Sequence, residues 1–354
     1  MFFIVVPIVL GAINYYIYRT ASAAYPQLSV LFATWIILSF LSLFLAIFLE
    51  KQKKLALSLP FSWIGYTWFG VSGIALATIA TTDLIQVITQ AFNDRFQFQL
   101  VFTTVLALSI WSVIEARRFR VRKVRIHSEK LRILEKPIRI VQISDLHLGD
   151  SSTIGHIQKI VSKVNELKPD IVVSTGDLFD GYLELMAPFV DSLREIEAPM
   201  GKFAVSGNHE VYAGLEEAMS LTELAGFTLL RDTHQAVTAH LTIAGVEDQS
   251  APSIATEADA LNTLSSAPFH LLLKHRPDFD PQSEGKFDLQ LSGHTHGGQI
   301  FPFHLLTSTV YKARPGLSEL APKQQLYLSR GTGSWGPQMR LFAPPEITLL
   351  ELSR

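Results

Sequence analysis

Four long runs almost free of charge stand at the front of this chain: Phe2–Tyr18, Leu28–Leu49, Phe61–Thr82 and Phe98–Ile114. A helix needs about 20 largely apolar residues to cross the hydrocarbon core of a bilayer. A buried soluble bundle would carry polar stripes at the helical period, and these runs show almost none. They predict four membrane-spanning helices within residues 1–116. The first run is short, holds Pro7 and Asn14, and precedes Thr20-Ala-Ser-Ala-Ala24, which resembles a leader cleavage site. No Lys or Arg comes before it, so a retained helix is expected rather than a cleaved leader. Lys51, Lys53 and Lys54 lie between the second and third runs, and Arg117, Arg118, Arg120, Arg122, Lys123 and Arg125 follow the fourth. The opposite connections hold only Arg19 and Arg95. The positive-inside rule then puts the rest of the chain in the cytoplasm. The basic run after the fourth segment is read first as a topology signal; contact with anionic headgroups is its second use.

After this basic stretch the pattern changes, which divides the chain into a transmembrane part (1–116), a basic linker with opening strands (117–135) and a globular α/β domain (136–354). All 11 histidines fall from His127 onward. The chain has no cysteine, which excludes disulfides, zinc–thiolate sites and a cysteine nucleophile. Its net charge of −2 gives no sign of nucleic-acid binding. No obligate protein partner is evident.

Val121–Ile126 and Leu131–Ile133 read as an opening hairpin. Ile138–Ser144 alternates and is rich in branched residues, a strand that runs into Asp145-Leu-His147. A helix follows, with Ile154, Ile157, Ile160, Val161, Val164 and Leu167 at helical spacing. Ile171–Thr175 is the next strand, running into Gly176-Asp177-Leu-Phe-Asp180. Three more strands have chemistry at their ends: Lys202–Ser206 before Gly207-Asn208-His209-Glu210, Phe269–Lys274 before His275, and Phe287–Leu291 before Gly293-His294-Thr-His296. Leu215–Leu224 reads as a helix, Phe227–Leu230 and Leu241–Val246 as outer strands, and Gln325–Ser329 and Glu346–Leu352 as the last two strands.

Ligands of open α/β sheets bind beyond the carboxyl ends of the strands. Five such ends supply two aspartates, an asparagine and four histidines, too many donors for one tetrahedral zinc. They suit two divalent ions sharing a carboxylate, a pair that can clamp both oxygens of a phosphoryl displacement. Each motif alone has a plainer reading: Asp177 and Asp180 as helix-start acids, Asn208 as a left-handed turn residue, His275 as a satisfied core histidine. Their joint occurrence at successive strand ends is what packing does not explain.

These five blocks resemble those of the calcineurin-like metallophosphoesterase superfamily. Ser144–Gly149 and Gly293–Gln299 look most like its bacterial membrane-linked branch, and Arg330–Gly333 and Pro345–Ile347 are similar too. The resemblance implies a four-layered αββα sandwich, a bacterial inner-membrane location and a metal-dependent phosphoester hydrolase. It also implies that Asp145, His147 and His296 hold one ion, that Asp177 bridges, and that Asn208, His275 and His294 hold the other. Manganese is expected first, with iron, zinc or magnesium as alternatives. A metal-bridging hydroxide would attack in line, His209 would protonate or stabilise the leaving oxygen, and Asp180 would orient His209. Arg330 and Arg340 are weaker expectations, as substrate contacts or as loop charges. A membrane tether suggests a lipid-linked phosphodiester or pyrophosphate, with UDP-diacylglucosamine as one candidate. A sensor or transport component that binds metal or phosphate without catalysis is the competing class. Ionisable groups inside the membrane would mark it, and the four runs hold essentially none.

Overall fold

The computed structural model describes residues 2–149, 152–252, 256–265 and 267–354. The chain divides into two compact units, Met1–Ala116 with Gly298–Leu305 and Gly336–Ala343, and Arg117–Gly297 with Leu306–Trp335 and Pro344–Arg354.

The first unit is built on helices α1 (Phe2–Ala24), α2 (Ser29–Lys51), α3 (Leu55–Thr89) and α4 (Asp94–Ala116). Among the described residues, three stretches are long and apolar enough to cross a bilayer: Pro26–Lys51, Leu55–Thr89 and Asp94–Ala116. Three of the four expected spans are thus met among the described residues. The α1 helix forms over the fourth expected run, but that run opens on residues 2–6, whose side chains lie outside the described ones. A correction concerns α3, which runs past Thr82 and takes in an ionisable residue, Asp83. Tyr16 Oη donates to one oxygen of Asp83, and Gln97 Nε2 donates to the other at 2.5 Å. A carboxylate satisfied in this way ties helices together, as buried polar groups in membrane bundles do.

The two short segments that join this unit supply part of its core. Ile300, Met339 and Leu341 are buried together with Ile74. Phe303 stacks on Phe69 with ring centroids 5.2 Å apart. The absent side chain at Gly73 makes that approach possible, because a Cβ there would lie 2.7 Å from the Phe303 ring.

In the second unit the strands are β1 (Arg120–His127), β2 (Ile138–Ile143), β3 (Ile171–Ser174), β4 (Lys202–Ala204), β5 (Thr228–Leu229), β6 (Thr233–Thr238), β7 (Leu241–Gly245), β8 (Phe269–Leu273), β9 (Leu289–Ser292), β10 (Gly316–Ala321), β11 (Gln324–Leu328) and β12 (Glu346–Ser353). They form two six-stranded sheets, in the orders β1-β12-β2-β3-β4-β5 and β10-β11-β9-β8-β7-β6. Side chains alternate between faces along each strand, and that period sorts the core into layers. Ile140, Ile171, Val173 and Phe203 of one sheet meet Leu241, Ile243, Leu271 and Leu289 of the other. On the outer face of the first sheet, Val141, Ile143 and Val172 pack against the helices at 154–166, 187–194 and 208–224, which we label α5, α6 and α7. On the outer face of the second, Ala244 and Leu272 pack against Ala260 and Leu261 of a short helix at 257–261. Helix, sheet, sheet and helix make the four-layered sandwich. Each fully buried aliphatic side chain there contributes about 1.5–3 kcal/mol.

Two local expectations fail. No hairpin joins Val121–Ile126 to Leu131–Ile133: β1 pairs in parallel with β12, Arg120 opposite Glu346 through His127 opposite Ser353, and Leu131 closes a 3-10 turn. Nor is Leu241–Val246 an outer strand, because β7 lies between β6 and β8 and is buried along its length.

Candidate metal centre

Strands β2, β3 and β4 run parallel, as do β8 and β9, so each set delivers its carboxyl ends to one side. The chain turns sharply at each end. Asp145, His147, Asp177, His294 and His296 all have left-handed backbone, with φ between 47° and 72°. Such conformations cost a non-glycine residue about 1–3 kcal/mol each and cluster where geometry serves function. Cross-strand bonds hold the turns: Asp145 N–H donates to Gly176 O at 3.0 Å, His147 N–H to Asp177 O at 3.0 Å and Gly293 N–H to His275 O at 2.9 Å.

The side chains converge in two groups. In the first, Nε2 of His147 and Nε2 of His296 are 3.0 Å apart, with Asp145 Oδ1 3.5 Å from the latter. In the second, His275 Nε2 lies 3.1 Å from each of Asn208 Oδ1, His294 Nδ1 and Asp177 Oδ2. Asp177 Oδ2 is also 3.7 Å from His147 Nε2, so one carboxylate reaches both groups. The other nitrogen of His275, Nδ1, is committed to Thr175 O at 2.8 Å. A backbone carbonyl only accepts, so Nδ1 carries the proton and Nε2 presents a lone pair. That lone pair faces two oxygens of acceptor character and a second imidazole. Acceptors brought together without donors are stable only around a cation or an extra proton, and the donor set fits borderline divalent ions.

The electrostatics follow from the same crowding. Burial alone would lower His275, but the charge and hydrogen bond of Asp177 outweigh it and lift the imidazole to about 10. His294 goes the other way, to about 3, through burial and the neighbouring His275 and Arg276. Burial pushes Asp145 up, whereas Asp177 is held well below the usual carboxylate range because His275 and His147 overcome its burial. His209 Nδ1 lies 3.0 Å from Asp180 Oδ1, and its backbone N–H donates to Asp177 Oδ1 at 2.9 Å. Against the lowering effect of burial, the Asp180 bond raises His209 to about 9. Asp180 Oδ2 also approaches His147 Nδ1 at 3.3 Å.

All seven expected ligands, with His209 and Asp180, are thus brought together. Asn208 is the first residue of α7 and is right-handed rather than a left-handed turn residue. The arginines are placed differently. Arg330 Nη1 bonds the buried Glu346 at 2.8 Å. Arg340 belongs to the helical unit, is fully buried, and donates from Nη1 to Ala343 O at 3.4 Å. A guanidinium packed in that way is not exposed to a substrate.

One residue of the site escaped the sequence reading. Glu210, fully buried, accepts from the backbone N–H groups of Asp177, Leu178, Phe179 and Gly207, at 3.0, 2.5, 3.0 and 2.7 Å. It holds the turn that presents Asp177. The third position of a helix start is where an acid bonds back to the capping residue, and that was the only available signal.

Two glycines let the carboxylates in. A Cβ on Gly293 would lie 2.0 Å from Ser144 Oγ and 2.2 Å from Asp145 Oδ2, and one on Gly207 2.2 Å from Asp177 Oδ1. Gly293→Ala is therefore expected to cost about 1–3 kcal/mol of stability and to expel metal. Thermal melts and metal content check this together, and a variant that keeps its full metal content would contradict the close approach.

A calcineurin-like phosphoesterase family model matches residues 138–298. An uncharacterized metallophosphoesterase of Aquifex aeolicus is 34% identical, over 71% of this chain and 98% of its own length. One from Campylobacter jejuni is 29% identical over 99% of this chain and 98% of its own, so that alignment includes the helical N-terminal part. A transmembrane protein with metallophosphoesterase domain from Danio rerio is 32% identical over 72% of this chain and 62% of its own.

Proposed function

We infer that this chain, which belongs to the calcineurin-like phosphoesterase family and is a metal-dependent phosphoester hydrolase, acts through a dinuclear site on a lipid-linked phosphodiester or pyrophosphate. The observation that carries the dinuclear reading is the convergence of lone pairs at His275 Nε2 and between His147 and His296, with Asp177 reaching both. Asp145, His147 and His296 would hold one ion and Asn208, His275 and His294 the other, with manganese first among the ions. When bound, the pair supplies positive charge to the phosphoryl oxygens and lowers the pKa of water.

The remaining chemistry belongs to the chain. His209, protonated at neutral pH, has Nδ1 bound to Asp180, which leaves Nε2–H to pass its proton to the leaving oxygen as the phosphorus–oxygen bond breaks. Asp180 is the positioning residue, orienting the ring and sustaining its charge. Glu210 keeps the Asp177 turn in shape. The candidate spans support a bilayer location. A substrate with a lipid tail reaches such a site by diffusion in the plane, and UDP-diacylglucosamine is the substrate we would try first. The basic connections after α2 and α4 support a cytoplasmic catalytic domain at a bacterial inner membrane.

The test is hydrolysis by the full chain in detergent, stripped of metal and then given Mn²⁺, with an aryl phosphodiester and UDP-diacylglucosamine side by side. Mn²⁺-dependent turnover of both, with higher kcat/KM for the lipid, is expected. Turnover of the aryl ester alone would remove the lipid-linked assignment. Asp180→Asn adds a pH test. Loss of the carboxylate lets His209 fall from about 9 toward its ordinary value, so the alkaline limb of kcat/KM should move down by about two pH units. A limb that stays in place would remove His209 as the acid.

A further inference from the structure

Gly298–Leu305 and Gly336–Ala343 belong to the helical unit, and they meet its helices well inside the helix ends. Phe303 stacks on Phe69 and lies against Gly73, while Ile300 and Met339 close over Gly70. These three α3 residues fall within the apolar run Phe61–Thr82. Gly73 stands about 28 Å beyond Lys54 along the helix, at 1.5 Å per residue. On α4, Ser112 O accepts from Arg340 N–H at 2.9 Å, one turn before that helix ends at Ala116.

Irregular backbone persists at such a depth only where its polar groups are satisfied inside the protein. Here Leu341 N–H donates to Gln299 O at 2.9 Å, Phe301 N–H to Leu341 O at 3.2 Å and Phe303 N–H to Ile300 O at 2.8 Å. Pro302 and Pro337 have no N–H to satisfy. Arg340 is fully buried, so protein encloses its charge. What stays exposed is apolar. Phe342 is 68% exposed, and the helix at His304–Val310, none of it buried, carries Leu306 at 65% and Val310 at 72%. Leu306 and Val310 are four residues apart, on one helical face. Phe301 links the segments, its ring centroid 5.9 Å from that of Phe342 and 5.3 Å from that of His304. Exposed Lys312 and Arg314 follow the helix.

We propose, resting on the bilayer location read from the candidate spans, that Phe342, Leu306 and Val310 are embedded among lipid acyl chains in the leaflet where α4 ends. Exposed apolar side chains beside a spanning helix suit that environment, and Lys312 and Arg314 suit anionic headgroups. The embedded stretch starts two residues after His296 and ends at Tyr311, whose ring packs on His294 at 5.4 Å. The chain that leaves the metal site therefore passes through lipid before it returns.

The chain has no cysteine, so single cysteines in the full-length protein can carry an environment-sensitive fluorophore. Leu306→Cys, Val310→Cys and Phe342→Cys are compared with Leu38→Cys on α2 and Glu166→Cys on α5, both also exposed. Turnover of an aryl phosphodiester checks that each is intact. The proteins are placed in vesicles of phosphatidylglycerol and phosphatidylethanolamine containing lipid spin-labelled on its acyl chain. The labels at Leu306, Val310 and Phe342 are expected to lose most of their fluorescence, as Leu38 does, while Glu166 stays bright. Three labels as bright as Glu166, with Leu38 quenched, would overturn the embedding and leave the spans standing. Pyrene excimers between chains at Phe342→Cys, without quenching by lipid, would assign that face to a second copy and overturn the lipid contact. No quenching at Leu38 either would overturn the bilayer location itself.

Discussion

Asp177→Asn is expected to lower turnover on the order of 10³-fold, equivalent to about 4 kcal/mol of lost transition-state stabilisation. The change is isosteric, so the fold should survive, but it removes the one charge that faces both groups of imidazoles. An amide also brings an N–H₂ into a space lined by lone pairs, where it competes with a cation. Metal content and single-turnover rates separate the two effects. If ions are lost, excess Mn²⁺ should recover part of the rate; if they are retained, the loss should sit in kcat. A variant with near-normal turnover would remove Asp177 from the bridging role.

The second large effect is a pH dependence of metal affinity. In the metal-free protein His275 is raised from 6.5 to about 10, so over that window its proton occupies the position a cation would take. Each ion bound there must displace that proton. Affinity should therefore increase about tenfold per pH unit between roughly 6.5 and 10, with close to one proton released for this group. Folding stability of the metal-free chain runs the opposite way. A histidine whose pKa is raised on folding contributes its full stabilisation below the unfolded value and loses it as pH rises through the folded value. The metal-free protein should thus melt at progressively lower temperature from pH 6.5 to 10, and Mn²⁺ should reverse the trend. Calorimetry in buffers of different ionisation enthalpy counts the protons. An affinity independent of pH, or unchanged in His275→Ala, would exclude His275 as a ligand.

Much of the site was legible because each ligand stands at the end of a run whose own pattern marks it as a strand. Asp145 follows Ile-Arg-Ile-Val-Gln-Ile-Ser, and His294 follows Leu-Gln-Leu-Ser-Gly; the period of two marks both strands, and the glycine marks the end of the second. What the sequence concealed depended on distant partners. The β1 strand looked like half of a hairpin because its partner, β12, is the last strand of the chain. Glu210 could be seen as a helix-start acid, but not as the acceptor for the Asp177 turn, which comes from another strand. Arg340 was a plausible phosphate ligand until its burial in the helical unit became visible. Gly298–Leu305 and Gly336–Ala343 are too short and too ordinary to announce that they pack with α3.

The most direct test of the dinuclear account is metal stoichiometry measured together with turnover. The full-length chain, stripped of metal and titrated with Mn²⁺, would be assayed for bound ion by elemental analysis and for hydrolysis of an aryl phosphodiester in the same samples. The account predicts two ions per chain, with turnover rising mainly as the second site fills. Turnover complete at one ion per chain, or unaffected by removal of all metal, would contradict it.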